Sequence, residues 1–275
     1  MRVETVHRHV VGVILFHNIY YANYGQVETR ADADGQPKRC TLMSMSRRTR
    51  RTVSGVVVAA VLGWLVLASG LLFPHLWALR PLDLSTPDQW FINWRLAAIR
   101  KDRDLCRAVL APPHVVSSPV PDAVASEGCG WQNSERVISI AGARVSVDKL
   151  TCELTAGLSL WMIHEVQPEA LRLFGHKVAE VHHVGGYACR NIDGSSGERS
   201  EHAAANALDI TAFTFANGKR ISILRGWPTD GADGTFLRHI HARACRYFPV
   251  ALGPAYNAAH RDHFHYDRGA ARKCK

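Results

Sequence analysis

The sequence ALDITAFTFANGKRISIL, residues 207–224, predicts a β-hairpin. Its Asn-Gly pair lies between two runs in which apolar and polar residues alternate, which is the strongest short-range signal for a hairpin turn. Because successive side chains of a strand point to opposite faces, Asp209 would lie on the face opposite Leu208 and Ile210. Strict alternation would also turn Ala212 toward the apolar side. We therefore expect a core behind this strand and a carboxylate in front of it.

The segments on both sides of this hairpin predict further strands, helices and one loop, and together they indicate an α+β domain. They are 112–122, a Pro-rich loop; 136–147, two short strands or one hairpin; 154–174, a helix that Pro168 can break; 177–184, a strand; 233–248, a helix with His239 and His241 on its exposed side; and 263–267, a last strand. Hairpins and separate helices, without parallel βαβ alternation, predict an α+β fold, a small antiparallel sheet with flanking helices.

Residues 53–73, VSGVVVAAVLGWLVLASGLLF, form a run of 21 residues without a charge. Such a run is long enough to cross a bilayer as a helix. Four arginines precede it within residues 47–51, and positive flanks stay on the cytoplasmic side. We therefore expect a single-pass anchor in the inner membrane, with the following domain in the periplasm. The alternatives are a buried core helix and a cleaved signal peptide, which usually has a shorter apolar run and an A-x-A site after it.

The predicted anchor divides the chain into four parts. They are a tail over 1–52 that is disordered or begins at a mis-assigned start; the transmembrane anchor over 53–73; a juxtamembrane linker over 74–104 with a short helix from about Thr86; and a folded domain over 105–275. The whole chain is 47% hydrophobic and 21% charged, which suits one globular domain with additional segments.

The distribution of charge argues against nucleic-acid binding. The chain carries a formal net charge of +9, and residues 1–52 hold nine Lys+Arg and four Asp+Glu, so that they contribute +5 of it. The excess is thus concentrated next to the predicted anchor and does not form a basic face with aromatic residues. We expect no nucleic-acid partner.

The cysteines predict disulfide bonds in an oxidising compartment. One of the seven, Cys40, precedes the predicted anchor, and the other six follow it: Cys106, Cys129, Cys152, Cys189, Cys245 and Cys274. An even number of cysteines beyond a membrane anchor is typical of a disulfide framework. The sequence does not choose between the many possible pairings. It contains no C-x-x-C pair, which disfavours a zinc site made of cysteines.

Two short segments supply candidate metal ligands. They are 200–209, SEHAAANALD, and 262–265, DHFH. His202, Asp209 and His265 offer two imidazoles and a carboxylate, which is the donor set of a zinc hydrolase that keeps one position open. Since the chain has 15 histidines, an isolated H-x-H is a weak signal. The two segments in order favour a metal site, with Zn²⁺ as the expected cofactor.

Asp262 and His263 carry the candidate catalytic roles. Asp262 would act as the base, and His263 would donate to the oxyanion that forms when a carbonyl is attacked. Strict alternation would turn Asp262 away from His263, so Asp262 must lie at the mouth of the strand or on a bend. His182 and His183 are neighbours on a predicted strand and point to opposite faces, so we expect them to be structural.

The two segments resemble those of the LAS-type metallopeptidases, which include lysostaphin-like enzymes, D-Ala-D-Ala carboxypeptidases and dipeptidases, and the hedgehog signalling domain. The D-Ala-D-Ala group has S-x-H-x-x-G-x-A-x-D followed by D-H-x-H, and the matching residues are Ser200, His202, Ala207, Asp209, Asp262, His263 and His265. The chain departs from this pattern at Ala205, where the group usually has glycine. The resemblance implies a LAS/hedgehog-like core, zinc on the three ligands named above, Asp262 as the base, and Ser200 as a support of the ligands.

The same resemblance implies a substrate-binding residue. In the peptidase relatives an arginine before the S-x-H motif clamps a substrate carboxylate, and Arg190 is the candidate here. A surface salt bridge is the alternative role for this side chain.

A longer part of the chain, from about Cys106 to Cys274, is similar to the bacterial extensin-like C-terminal domain family. The segments that carry the similarity are Gly128-Cys129-Gly130, Leu150-Thr151-Cys152, Tyr187-Ala188-Cys189-Arg190 and Leu252-Gly253-Pro254 leading into Asn257-Ala258-Ala259-His260. The chain lacks the Ser-Pro repeats of plant extensins, so the family name does not imply a structural wall glycoprotein.

These observations together predict a membrane-anchored, extracytoplasmic zinc metallopeptidase that cleaves an amide bond in a peptidoglycan stem peptide. Peptidoglycan or a cell-wall peptide would then be its partner. The first alternative is a metal-containing module that binds cell-wall peptide without cutting it, because the resemblance includes the hedgehog domain. The second is a structural envelope protein without a metal. The sequence leaves open the bond cleaved and the oligomeric state.

Overall fold

The computed structural model describes residues 47–69, 82–87, 89 and 91–275. Its helices are α1 (Arg47–Ser69), α2 (Ile92–Ala98), α3 (Arg103–Val109), α4 (Cys152–Trp161), α5 (Gln167–Phe174), α6 (Ile223–Gly226) and α7 (Ala232–Ala244). Its strands are β1 (Val115–Val120), β2 (Ala123–Ser126), β3 (Cys129–Trp131), β4 (Ser134–Ile140), β5 (Ala143–Thr151), β6 (Val178–His183), β7 (Ala207–Phe215), β8 (Arg220–Ser222), β9 (Val250–Leu252), β10 (Phe264–Asp267) and β11 (Lys273–Cys274). A π-helical turn, Met162–Val166, joins α4 to α5, and 3-10 turns cover Glu201–Ala204 and Ala258–His260. The predicted α+β class is confirmed.

Helix α1 covers most of the segment predicted to be an anchor, and the last four residues of that segment lie outside the described residues. Among the residues that the structure describes, no helix combines the length and the apolar character needed to cross a membrane. Residues 1–46 of the predicted tail and residues 74–81, 88 and 90 of the predicted linker also lie outside the described residues. The short helix expected from about Thr86 is α2, which begins at Ile92.

The sheet is larger than the small antiparallel sheet that the sequence predicts. In the described part of the chain nine strands join in the order β1-β4-β5-β6-β7-β10-β9-β11, with β8 paired to β7, while β2 and β3 form a separate pair. Neighbours are antiparallel except β5 with β6 and β9 with β11. The prediction of a loop over 112–122 is wrong, because β1 lies within it and forms the edge of the sheet.

The hairpin predicted within 207–224 is confirmed. Strand β7 pairs with β8 so that Phe213 lies opposite Ile221. Gly218 in the connecting turn has φ 83°, a left-handed conformation that glycine adopts without a steric penalty. The hairpin predicted within 136–147 is also present, formed by β4 and β5.

A β-bulge interrupts the alternation of side chains along β7. On the neighbouring strand, His183 pairs with Ile210 and His182 pairs with Ala212, so Thr211 is an extra residue between them. The bulge shifts by one the positions that face the core, and the predicted orientation of Ala212 is therefore wrong. Before the bulge the predicted alternation holds, and this is the part of the strand that carries Asp209.

The core lies between the sheet and the helices α4, α5 and α7. Trp161 of α4 is fully buried, and its ring centroid lies 6.2 Å from that of Phe213 and 5.1 Å from that of Tyr266. Phe236 of α7 lies 5.6 Å from Phe213, while Phe174 of α5 packs edge-on against the end of β7. Fixing β7 and β10 against one aromatic cluster gives these two strands a rigid support.

His241 of α7 is buried, although the helical pattern predicts it on the exposed side. Only 6% of the residue is exposed. Its Nδ1 lies 3.2 Å from the Tyr266 hydroxyl, its Nε2 lies 3.0 Å from the Lys275 carbonyl oxygen, and its ring stacks on Phe264. These partners come from distant parts of the chain and satisfy both ring nitrogens, which is what a buried imidazole requires.

The six candidate cysteines form three disulfides in the described part of the chain, as the sequence predicts. The pairs are Cys106–Cys152, Cys129–Cys189 and Cys245–Cys274. The second of these joins β3 to the segment immediately before Arg190. It therefore links the small β2–β3 sheet to the surroundings of the predicted metal site.

Candidate metal centre

A short 3-10 turn before β7 holds His202. The turn covers Glu201–Ala204, and Ser200 caps it because its Oγ accepts a hydrogen bond from the His202 backbone N–H at 3.3 Å. Ala205 ends the turn with φ 55°, in a left-handed conformation that costs a residue with a Cβ about 1–2 kcal/mol. Glycine would adopt this conformation without that cost. Ala205 is retained in it by hydrogen bonds from its N–H to the turn and from Thr151 to its carbonyl.

Asp209 and His265 meet because β7 and β10 pair side by side. The two residues are directly opposite each other in an antiparallel register, and opposed side chains lie on the same face. His265 Nδ1 lies 2.8 Å from Asp209 Oδ1. On the other face, Leu208 and Phe264 are fully buried in the core. The polar face with an apolar layer behind it is the arrangement that the alternation predicts.

The three predicted metal ligands are brought together in one cluster. His202 Nε2 lies 3.1 Å from Asp209 Oδ2 and 3.3 Å from His265 Nδ1, and the three ligand atoms all lie within 4.8 Å of one another. Ligands about 2.0–2.2 Å from a tetrahedral Zn²⁺ are separated from each other by about 3.4 Å. The observed distances are close to this value, so the donor set fits a zinc ion after small outward movements.

Hydrogen bonds on the far side of both rings prepare them for a metal. His202 Nδ1 lies 3.1 Å from the Gly186 carbonyl oxygen, and His265 Nε2 lies 3.0 Å from Asp267 Oδ2. A carbonyl or a carboxylate oxygen only accepts, so the proton belongs on these outer nitrogens. His202 Nε2 and His265 Nδ1 are therefore the atoms left to bind a cation. Such outer partners orient the ligands of most protein metal sites.

The electrostatics of the cluster favour a bound cation. Asp209 is only 8% exposed. Burial alone would raise the pKa of its carboxyl group, but hydrogen bonds with His202 and His265, and their charge, hold that pKa well below its usual range. Burial would likewise lower the pKa of His265, but hydrogen bonds with Asp209 and Asp267 raise it to about 9. A metal that binds His265 Nδ1 at neutral pH must therefore displace a proton.

Asp262 and His263 form a hydrogen-bonded pair at the edge of the cluster. Asp262 Oδ1 lies 2.9 Å from His263 Nδ1, and His263 Nε2 lies 3.8 Å from Asp209 Oδ1. Asp262 precedes the first residue of β10, so it is free of the strand alternation that would have turned it away. The hydrogen bond with His263 lowers the pKa of the Asp262 carboxyl group below its ordinary value. His263 thus lies between the Asp262 carboxylate and the ligands.

The predicted substrate-binding residue also reaches the cluster. One terminal nitrogen of Arg190 lies 3.9 Å from Asp209 Oδ2, and the other lies 3.8 Å from Asp193 Oδ1. The Arg190 side chain is 43% exposed. A half-exposed guanidinium beside the cluster has N–H groups available for a carboxylate of an incoming ligand.

Two residues of the site escape the sequence analysis, His260 and Asp267. The His260 ring centroid lies 5.1 Å from that of His263 and 6.1 Å from that of His265. Burial, together with these two histidines, lowers the pKa of His260 to about 4, so its ring is neutral. Asp267 could have been found, because alternation along β10 places it on the same face as His265. His260 lies in a 3-10 turn and has no such periodic signal.

The two histidines predicted to be structural have partners of their own. His182 Nε2 lies 2.7 Å from the Thr214 hydroxyl oxygen, and His183 Nε2 lies 2.8 Å from the Val145 carbonyl oxygen. Neither belongs to the ligand cluster.

The substitution Asp267→Asn is expected to weaken zinc binding by roughly 10–100-fold. The other carboxylate oxygen of Asp267 accepts a hydrogen bond from the Gly269 N–H at 2.9 Å. An asparagine must keep its oxygen there, so its NH₂ group faces His265 Nε2 and forces the ring proton onto Nδ1, the ligand atom. Zinc titration of the purified protein by calorimetry measures the effect. An affinity equal to that of the unsubstituted protein would contradict this account of the ring.

Comparison with known proteins identifies the family. A family model described as "Extensin-like protein C-terminus" matches residues 104–275, which is more than half of the 275-residue chain. No curated protein and no solved structure matches it. The matched region contains the ligand cluster, the Asp262–His263 pair, Arg190 and the six cysteines. The chain therefore belongs to the extensin-like protein C-terminus family.

Proposed function

We propose that this protein is a zinc-dependent hydrolase that cleaves an amide bond in the stem peptide of peptidoglycan. The observation that carries the proposal is the cluster of His202, Asp209 and His265, whose ligand atoms lie within 4.8 Å of one another. Two histidines and a carboxylate with one open position are a common donor set of zinc hydrolases. The resemblance of segments 200–209 and 262–265 to LAS-type metallopeptidases supports the same class of reaction.

A Zn²⁺ ion bound here would polarise the substrate carbonyl and acidify a water molecule to a pKa of about 7. The residues of the chain would then move the protons. The sequence predicts Asp262 as the base and His263 as the donor to the oxyanion. Because the Asp262 carboxylate is hydrogen-bonded to His263 Nδ1, we propose instead that His263 accepts a proton at Nε2 and returns it to the leaving amine, while Asp262 fixes the Nδ1–H and stabilises the charged ring. The distances of 2.9 Å and 3.8 Å on the two sides of His263 support this shared role.

Several features support a cell-wall peptide as the substrate. Arg190 provides a half-exposed guanidinium next to the cluster, which suits a free carboxylate of a peptide. The three disulfides are typical of proteins of oxidising compartments such as the periplasm. The apolar run 53–73, preceded by arginines, supports an N-terminal anchor in the inner membrane. Peptidoglycan stem peptides are the abundant amide substrates of that compartment.

Digestion of purified peptidoglycan by the full chain tests the proposed function. We expect new muropeptide products that disappear when a chelator removes the metal. In the variants His263→Ala and Asp262→Ala the rate of product formation should fall by roughly a hundredfold, a usual contribution of acid–base catalysis. His239→Ala is a matched control, because this histidine lies on α7 and has a side chain 38% exposed. Products that persist unchanged with chelator would exclude a metal-dependent reaction.

One observation favours the alternative of a binding module. The hydrogen bond with His263 lowers the pKa of Asp262, so this carboxylate is a weak base in the role that the sequence predicts for it, and proton transfer would depend on His263 alone. A module would bind zinc and retain peptidoglycan in a sedimentation assay while giving no products. Metal content, sedimentation and product analysis on the same preparation therefore separate the two functions, and a preparation without metal would indicate a structural envelope protein.

A further inference from the structure

A cavity of about 500 Å³ lies next to the metal centre. Its walls come from the β2–β3 sheet, from the residues before α3, and from the 3-10 turn that carries His202. Ala203 and Ala204 of that turn line the cavity, whereas the three ligands and Arg190 do not. The cavity is thus distinct from the metal centre and shares a wall with it.

A disulfide provides a second connection between the cavity and the centre. Cys129 lines the cavity and is bonded to Cys189, the residue before Arg190. A ligand that occupied both the cavity and the metal centre would therefore lie across the short turn that contains Ala203 and Ala204. The volume is in the range of cavities that bind small molecules, about 300–1,000 Å³.

The lining of the cavity combines an aromatic ring with hydrogen-bond donors and acceptors. Trp131 is half-buried, and its indole N–H already donates to the Pro121 carbonyl oxygen at 2.9 Å. The ring therefore offers apolar surface to a ligand. Gln132, Glu127 and Lys101 line the same cavity and supply donors and acceptors. The lining also contains one further basic residue, Arg100, and one further acidic residue, Glu201, so its basic and acidic groups balance. This combination suits a ligand without net charge that has flat apolar faces and a polar rim.

The Trp131 ring is held in place from outside the cavity. Lys149 Nζ lies 4.6 Å from the centroid of the ring, and Tyr187 packs edge-on against it at 4.9 Å. Neither Lys149 nor Tyr187 lines the cavity. A ring that is fixed before the ligand arrives loses little side-chain freedom on binding.

We propose that this cavity is a carbohydrate subsite that binds an N-acetylated hexosamine ring of a glycan. A pyranose ring has apolar C–H faces that can stack on Trp131, and hydroxyl and acetamido groups at its rim that can bond to Gln132, Glu127 and Lys101. The choice of this sugar rests on the proposed function, because the stem peptides of peptidoglycan are attached to such rings. The shared turn would place the peptide of a bound glycan next to the metal centre.

Titration with a tetramer of β-1,4-linked N-acetylglucosamine tests the proposal. Binding is measured by calorimetry and by two-dimensional NMR on the full chain. We expect saturable binding that weakens by about tenfold or more in Trp131→Ala, as befits the loss of an aromatic contact. Trp94→Ala is the matched control and should bind as the unsubstituted protein does, since Trp94 of α2 is 58% exposed and lies outside the cavity.

A second variant covers the case in which Trp131→Ala fails to fold. Ala204 is exposed on the turn and lines the cavity, so Ala204→Phe fills the space without removing any wall. It too should abolish binding of the tetramer. Absence of binding at millimolar sugar, or equal affinities in unsubstituted protein, Trp131→Ala and Ala204→Phe, would overturn the proposal.

The sugar assay is independent of hydrolysis. A variant without the metal ligand Asp209 should still bind the tetramer, because Asp209 does not line the cavity. If the protein bound the tetramer but did not hydrolyse peptidoglycan, the hydrolase proposal would be wrong and the subsite proposal would be supported. If the protein hydrolysed peptidoglycan but did not bind the tetramer, the hydrolase proposal would stand and the subsite proposal would be wrong.

Discussion

Replacing Asp209 with asparagine is expected to lower the affinity for Zn²⁺ by at least about a hundredfold and to reduce hydrolysis to background. Zinc binding at four-ligand protein sites is worth about 10–16 kcal/mol, so one ligand accounts for several kcal/mol, and each 1.4 kcal/mol is about tenfold in affinity. Asp209 is also the negative charge that both imidazoles face, at 2.8 Å from His265 and 3.1 Å from His202. Without the Asp209 carboxylate, only two neutral imidazoles would bind the Zn²⁺ ion.

A nearby carboxylate serves as the control for this prediction. Asp193 lies 3.8 Å from Arg190, as Asp209 does at 3.9 Å, but its side chain is 91% exposed and it is not part of the ligand cluster. The substitution Asp193→Asn should leave the zinc affinity within about twofold. Elemental analysis of dialysed protein and a competition titration with a chromophoric chelator measure both variants. Retention of one zinc per chain in Asp209→Asn would refute the assignment of this ligand.

Part of the candidate metal site could be predicted from sequence because it depends on local geometry. The alternation of side chains places Asp209 and His265 each on the polar face of its own strand. The turn residues before β7 bring His202 to the end of that strand. What the sequence could not show is that β7 and β10 are neighbours with Asp209 directly opposite His265. That pairing depends on tertiary structure over 56 residues of chain.

The errors in the predicted fold have separate physical causes. Prolines at 112, 113, 119 and 121 suggest a loop, yet β1 forms there because an edge strand tolerates a proline whose missing N–H would face solvent. The extra residue at Thr211 reverses the alternation in a way that no local pattern announces. His241 is a polar residue, so the helical pattern predicts it on the exposed side. The tertiary structure buries it, because its partners Tyr266 and Lys275 come from distant parts of the chain. The pairing of the cysteines likewise required the three-dimensional structure.

Glu153→Gln is expected to lower the free energy of unfolding by about 3–5 kcal/mol, because it removes one partner of a buried ion pair. Arg268 Nε donates to Glu153 Oε1 at 2.8 Å, and the two side chains are only 2% and 1% exposed. Arg100 approaches the second oxygen of Glu153 from the surface, with its side chain 52% exposed. Glutamine keeps the shape of glutamate but leaves the buried Arg268 guanidinium without its hydrogen-bonded carboxylate, while Arg100 can turn to water.

Removal of the other partner of the pair, Arg268, should lower the free energy of unfolding less than Glu153→Gln does. This difference distinguishes the account from a simple loss of packing. In Arg268→Met the Glu153 carboxylate keeps Arg100 as its partner, so we expect a loss of about 1–3 kcal/mol. The exposed pair of Arg107 and Asp104 is the control, and Arg107→Met should change stability by less than about 1 kcal/mol. Urea unfolding of the three variants, followed by far-UV circular dichroism, gives the values. If Arg268→Met were as damaging as Glu153→Gln, the account based on a buried unpaired charge would be contradicted, and the loss in Arg268→Met would be assigned to the contacts of Arg268 with Asn93 and Tyr247.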